Sequence, residues 1–150
     1  MSAAPVAYVI DASVAAKVFL PVPLSAEATT LIGLASNPVN QLHVPALLYA
    51  ECANIFWKQV QRGNANAVQV LADIVRLRTV PLIATPTFDL VDDALSIALA
   101  RAVSAYDACY VALAQRLGVP LVTADQKLHA KLAGTPLAPV WLGAWTPPGP

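Results

Sequence analysis

The 150-residue chain is poor in charge: 12% of its residues are Asp, Glu, Lys or Arg, and nine basic and nine acidic side chains cancel. Lacking a basic excess, it has no electrostatic footprint of a protein that coats nucleic acid nonspecifically. Zero net charge still permits local polarity, because an acidic site can be offset by basic residues elsewhere. Cysteine is scarce too, and Cys52 and Cys109 each lie in an apolar helical pattern without metal-ligand spacing. Both read as small buried hydrophobes. His43 and His129 have no partner at ligand spacing and read as structural or exposed. The six glycines form neither G-x-G-x-x-G nor G-x-x-x-x-G-K, which removes the common phosphate-cradling loops. Long apolar runs are also missing. Asp11 and Lys17 cut the first stretch, and Tyr106, Asp107 and Gln115 cut a later one, short of the roughly 20 residues a spanning helix needs. The apolar N-terminus lacks a positive n-region, so it is not read as a signal peptide, and a cytoplasmic protein is expected.

What the chain does have is apolar side chains, at 57% of residues. That suits a single domain over residues 1–150 with a sizeable core, and the surplus points to a subunit or partner interface, with a homodimer expected. Residues 146–150, with three prolines, read as a flexible tail. Trp57, Trp141 and Trp145 are assigned to core packing or a dimer interface rather than to base stacking.

Short strands are predicted at Ala7–Ile10, Leu42–Val44, Pro81–Ala84, Leu121–Thr123 and Pro139–Leu142. Between them helices are predicted over Ser13–Leu20, from Ser25 as N-cap to Ser36, Leu48–Arg62 closed by Gly63, from Asn64 as cap to Leu77, Phe88–Arg101, Asp107–Leu117 closed by Gly118, and Asp125–Lys131. Strands alternating with helices imply parallel pairing. The expected fold class is α/β, a three-layer α/β/α sandwich around a short parallel sheet.

Four acids sit inside or against apolar runs: Asp11, Glu51, Asp107 and Asp125. Three have an ordinary local explanation. Asp11 and Asp125 each follow a strand and precede a helix, as N-caps do, and Ser104 with Asp107 matches a capping box. Glu51 does not fit, since it reads as a helix-interior residue on the stripe of Leu48 and Ile55. In an open parallel sheet, Asp11 and Asp125 fall at the carboxyl edge where ligands bind. Carboxylates crowded there repel unless a cation neutralises them, and oxygen-only ligation favours Mg²⁺ or Mn²⁺. Such a site can activate water for phosphodiester hydrolysis. Basic residues for a phosphate backbone are Lys127 and Lys131, four apart on one helix, then Arg101 and Lys17. An ordinary solvated face explains them equally well. A catalytically silent nucleic-acid or phosphate-binding α/β module is the competing reading.

The segments V-I-D-A-S-V-A-A-K-V-F-L (Val9 to Leu20), Y-A-E-C-A-N-I-F-W (Tyr49 to Trp57), S-A-Y-D-A-C-Y-V-A-L-A (Ser104 to Ala114) and L-V-T-A-D-Q-K-L (Leu121 to Leu128) resemble the PIN-domain family. Most closely they resemble the VapC toxins of toxin–antitoxin pairs. The resemblance runs in the family's order over nearly the whole chain. It implies a metal-dependent endoribonuclease with Asp11, Glu51, Asp107 and Asp125 as catalytic metal ligands. It also implies Ser13 and Thr123 as supporting hydroxyls, Asn54 as a polar neighbour, and a cognate antitoxin as partner. Lys127 stands where some relatives carry a further acid, which leaves the number of metal ions open.

Overall fold

The computed structural model describes residues 3–150. Its framework is one five-stranded, all-parallel sheet: β1 Ala7–Ile10, β2 Gln41–Pro45, β3 Ile83–Thr85, β4 Leu121–Thr123 and β5 Val140–Trp141. The helices are α1 Ala12–Lys17, α2 Ser25–Gly33, α3 Leu48–Gln61, α4 Ala67–Thr79, α5 Val91–Arg101, α6 Ala105–Leu117 and α7 Gln126–Leu132. Short 3₁₀ turns extend α2 at Leu34–Ser36 and lead into α5 at Thr87–Leu90. A third spans Leu142–Ala144.

Strand order is β3-β2-β1-β4-β5. The chain winds outward from β1 through β2 to β3, then returns to the other side of β1 for β4 and β5. That reversal puts a crevice at the carboxyl ends of β1 and β4, the place where open α/β sheets take ligands. Val9 pairs with His43 on one side and Leu121 on the other, and Ile10 with Val122. Central strands covered on both faces should be apolar throughout. Val9, Ile10, Leu42, Val44, Leu121 and Val122 are accordingly buried. Helix α6 is buried continuously from Ala108 to Ala114, which explains its nearly unbroken apolar sequence.

Two predicted caps shift. Helix α3 ends with Gly63 at φ 75, where the Gly63 N–H bonds the Val60 carbonyl and the Asn64 N–H bonds that of Gln59. This paired closure is a Schellman motif, so Asn64 terminates α3 rather than opening α4. Asn66 caps α4 instead, accepting from Val68 and Gln69. Ser25 is not an N-cap either. The turn through Pro21 and Pro23 places Leu24 in the left-handed region at φ 66, and the Leu24 carbonyl accepts the first helical bond from Ala28.

Both cysteines are buried, while Trp57 is 57% exposed and does not belong to the core. It borders a groove between α3 and α4 lined by Phe56, Val60, Val70 and Ile74. A second exposed apolar stripe runs along α5 and its lead-in turn: Phe88, Val91, Leu95 and Leu99. Residues 146–150 carry no regular secondary structure, and Pro147 and Pro148 lie beside Ala3–Pro5. Among the described residues no single helix is long and apolar enough to cross a membrane.

Candidate acidic site

Asp11 stands between β1 and α1, with an extended backbone and its Oδ1 accepting the Val14 N–H. The N-cap role is therefore real, and it does not exhaust the side chain. Ser13 Oγ donates to Oδ1 at 2.5 Å, and Thr123 Oγ1 donates to Oδ2. The same hydroxyls accept from the far side of the crevice, Ser13 from the Ala124 N–H at 2.9 Å and Thr123 from the Asp125 N–H at 3.0 Å. Both thus clip the end of β1 to the turn after β4 and aim Asp11. Only 5% of Asp11 is exposed. Burial lifts its carboxyl from an ordinary 3.8 to about 6; the Ser13, Thr123 and Val14 hydrogen bonds oppose the rise, and the Asp107 charge adds to it.

Asp125 is the N-cap of α7, its Oδ1 accepting from Lys127 at 2.9 Å and Leu128 at 3.2 Å. Asp107 sits in the first turn of α6, placed there because Ser104 Oγ accepts its N–H at 3.0 Å. Burial raises the Asp107 carboxyl above its ordinary value, the Asp125 charge adds, and the Ser104 hydrogen bond opposes. Glu51 is raised too, by burial first and then by Asp107, against a hydrogen bond from Tyr110. The Asp107 charge bears on Asp11 and Glu51, and the Asp125 charge on Asp107. The negative field reaches Cys52, whose thiol is pushed up to about 12 by burial and by the Glu51 and Asp11 charges. It remains a protonated, inert thiol at neutral pH.

Glu51 differs from the sequence expectation. Helix α3 begins at Leu48, so Glu51 lies in the first turn, not the interior. There the macrodipole favours a carboxylate, and the Asp107 charge bears on it. Sequence reasoning missed its partner: Tyr110, 1% exposed, donates its hydroxyl to Glu51 Oε1 at 2.6 Å. The signal available was a tyrosine one helical turn after Asp107. A second acid, Asp73, is as deeply buried as Asp11 and was also missed. It lies on α4, bonded by Gln69 at 2.9 Å and Arg76 at 3.4 Å, and plays a structural part in that helix. Asn54 is exposed, one turn beyond Glu51.

The basic candidates divide. Lys17 Nζ donates to the Pro23 carbonyl at 3.0 Å, and Lys131 Nζ to the Ala102 carbonyl at the end of α5. Both ammonium groups are engaged by backbone. Lys127 and Arg101 are exposed.

Among the described residues no three His, Cys, Asp or Glu side chains are gathered tightly enough to enclose a metal ion by themselves. The donor set nevertheless fits a hard divalent cation of the kind that keeps several waters and takes few carboxylates. The donors are all carboxylate oxygens, and three of the four are held above their ordinary pKa by burial and mutual repulsion. A positive charge at that place relieves the repulsion.

Fold and site together define a class: a three-layer α/β/α protein with an acidic crevice at the carboxyl edge of its parallel sheet. The chain belongs to the PIN-domain family, whose profile, described as PIN domain, matches residues 8–134. It is 33% identical to Ribonuclease VapC3 of Pyrobaculum aerophilum over 129 residues, 82% of this chain and 92% of that protein. Among solved structures, PAE2754 of Pyrobaculum aerophilum superposes with a TM-score of 0.69 at 24% identity, over 92% of this chain and 85% of that one. A toxin–antitoxin complex from Klebsiella pneumoniae matches with a TM-score of 0.59 at 17% identity, over 87% and 94%. These two structural likenesses speak to the fold.

Proposed function

We propose that the chain is an endoribonuclease, the toxin of a toxin–antitoxin pair, using Asp11, Glu51, Asp107 and Asp125 around Mg²⁺ or Mn²⁺. The observation that carries this reading is the placement of Asp11 and Asp125 just after β1 and β4, joined through Thr123, with Glu51 and Asp107 in the first turns of α3 and α6. The relative that bears the name ribonuclease supports RNA as substrate. A bound divalent cation supplies water activation and neutralises charge on the attacked and leaving oxygens. The residues do the rest. Ser13 and Thr123 hold Asp11 in one orientation through its two oxygens, and Asp125 is fixed as a helix cap. Asp107 projects from a helix N-terminus with its backbone anchored by Ser104. Lys127, two residues beyond Asp125 and exposed, is the basic residue this reading assigns to a phosphate next to the one being cut. Two protein partners belong to the reading: an antitoxin, supported by the resemblance to VapC toxins and by the relative that bears the VapC name, and a second copy of the chain, supported by the exposed stripe on α5. The protein is placed in the cytoplasm, where its substrate is found.

Incubating the purified chain with a labelled circular RNA tests the central claim, because only an internal cut linearises a circle. Linearisation in Mg²⁺ or Mn²⁺, lost in chelator and in Asp11→Asn, is the expected result. An Asp11→Asn variant as fast as the parent overturns the site. A parent that binds RNA and leaves the circle whole in both metals is the silent binding module instead.

A further inference from the structure

We infer that Tyr110 is a positioning residue for the acidic site, acting through Glu51; the inference rests on the metal-site reading above. Tyr110 is among the largest fully buried side chains of the chain, and its hydroxyl reaches Glu51 Oε1 at 2.6 Å across a sequence separation of 59 residues. A buried phenol must find a hydrogen-bond partner, and many carbonyls or hydroxyls would serve. Here the partner is a half-buried carboxylate in the first turn of α3, within reach of the Asp107 charge.

The geometry gives that bond a directional consequence. A glutamate on a flexible stem has several rotamers and two equivalent oxygens, and fixing it costs rotamer freedom. With Oε1 accepting from the Tyr110 hydroxyl, the swing of the carboxylate is restricted, and Oε2 would be the oxygen freer to meet a cation. Tyr110 and Asp107 lie three residues apart on α6, hence on one face of the helix. One rigid, buried helix therefore delivers Asp107 to the crevice and, from one turn deeper, sets the angle of Glu51 on α3. The same scheme serves Asp11, whose two oxygens are held by Ser13 and Thr123. Partners that orient a ligand in this way typically contribute 10- to 100-fold in metal affinity or activity.

The test is direct Mn²⁺ binding to the full chain, with free Mn²⁺ counted by electron paramagnetic resonance, for the parent, Tyr110→Phe, Glu51→Gln and the double variant. Phenylalanine keeps the ring in its packing and removes the donor. Tyr110→Phe is expected to bind Mn²⁺ about 10-fold more weakly or worse, and to regain most of its kcat at saturating metal. The double variant is expected to match Glu51→Gln alone, because Tyr110 has no separate route to the cation. Parent-like Mn²⁺ affinity in Tyr110→Phe, or additive losses in the double variant, overturns the inference while leaving the ribonuclease reading intact. A parent that takes up no Mn²⁺ removes both. Should Tyr110→Phe fail to fold, the parent itself gives the answer by proton resonance. The Tyr110 hydroxyl signal shifts on adding Mg²⁺ and stays fixed on adding Mg²⁺ to Glu51→Gln; a signal indifferent to Mg²⁺ in the parent counts against the inference.

Discussion

Asp11 serves two purposes with the same oxygens. It starts α1 by capping Val14 and gathers two hydroxyls at the crevice, yet as a charge it is a burden on the metal-free fold. Its rise from 3.8 to about 6 corresponds to about 3 kcal/mol of disfavoured ionisation. Because the folded value lies above the unfolded one, the folded state holds the proton more tightly. The contribution of Asp11 to stability is then fully present below about pH 4 and is lost as pH climbs through about 6. His43, held below its ordinary 6.5 by burial, acts in the opposite direction, so the comparison must be made against a variant. Asp11→Asn is expected to raise the metal-free Tm at pH 7.5 by roughly 3–8 °C, an advantage that fades towards pH 4. Calorimetry in metal-free buffer checks it; an asparagine variant less stable than the parent at neutral pH contradicts the electrostatic account. The two explanations of Asp11 that the sequence left open, cap and ligand, were never exclusive.

At the scale of elements, the helix ends separate what local sequence specifies from what it does not. Gly118 closes α6 at φ 65, with Gly118 and Val119 N–H groups bonding back to Gln115 and Ala114, as an isolated glycine after an apolar run foretells. Asn64 and Asn66 both look like caps, and only the backbone closure of α3 decides between them. The start of α3 falls at Leu48 as expected, although Glu51 lies in its first turn rather than its interior, and Ala46 and Leu47 stay outside the helix. They are instead drawn to the β3 end, where Ala46 N–H bonds Thr85 and Leu47 N–H bonds the Thr87 hydroxyl. Helix α5 ends without a glycine: Ala102 takes the left-handed conformation at φ 56. An alanine there costs roughly 1–2 kcal/mol, of which glycine's greater unfolded freedom returns about half. Ala102→Gly should therefore stabilise the protein by roughly 0.5–1 kcal/mol, visible as a higher midpoint in urea. The Lys131 bond to the residue 102 carbonyl survives the change, so an unchanged or lower midpoint would mean that the strain is relieved in another way.

Over the whole molecule, composition announced an apolar surplus without saying where it lies. Periodicity could not find it, because Phe88, Leu95 and Leu99 follow the same three-and-four spacing as core residues. Tertiary packing, with α6 rather than a partner filling the buried side of α5, decides which face stays open. If that stripe joins two copies, Leu95→Glu with Leu99→Glu should convert a dimeric parent to monomer in sedimentation and leave the metal-free Tm of the monomer within about 2 °C, since exposed positions are worth little to the fold. A parent that sediments as a monomer at tens of micromolar disposes of the dimer. The acids were more legible than the surface because strand ends and caps are local signals, whereas Tyr110 and Asp73 became visible only once distant segments were packed. The outward-then-back winding of the sheet has one more consequence. Thr123 and Asp125 arrive 112 residues or more after Asp11, on the far side of the reversal, and β5 follows later still. During synthesis, which proceeds from the N-terminus, the crevice has no second wall until β4, more than a hundred residues after β1, has left the ribosome. A product that stops short of Thr123 lacks the clasp on Asp11, so the fold by itself withholds a complete acidic crevice from every copy that ends before β4.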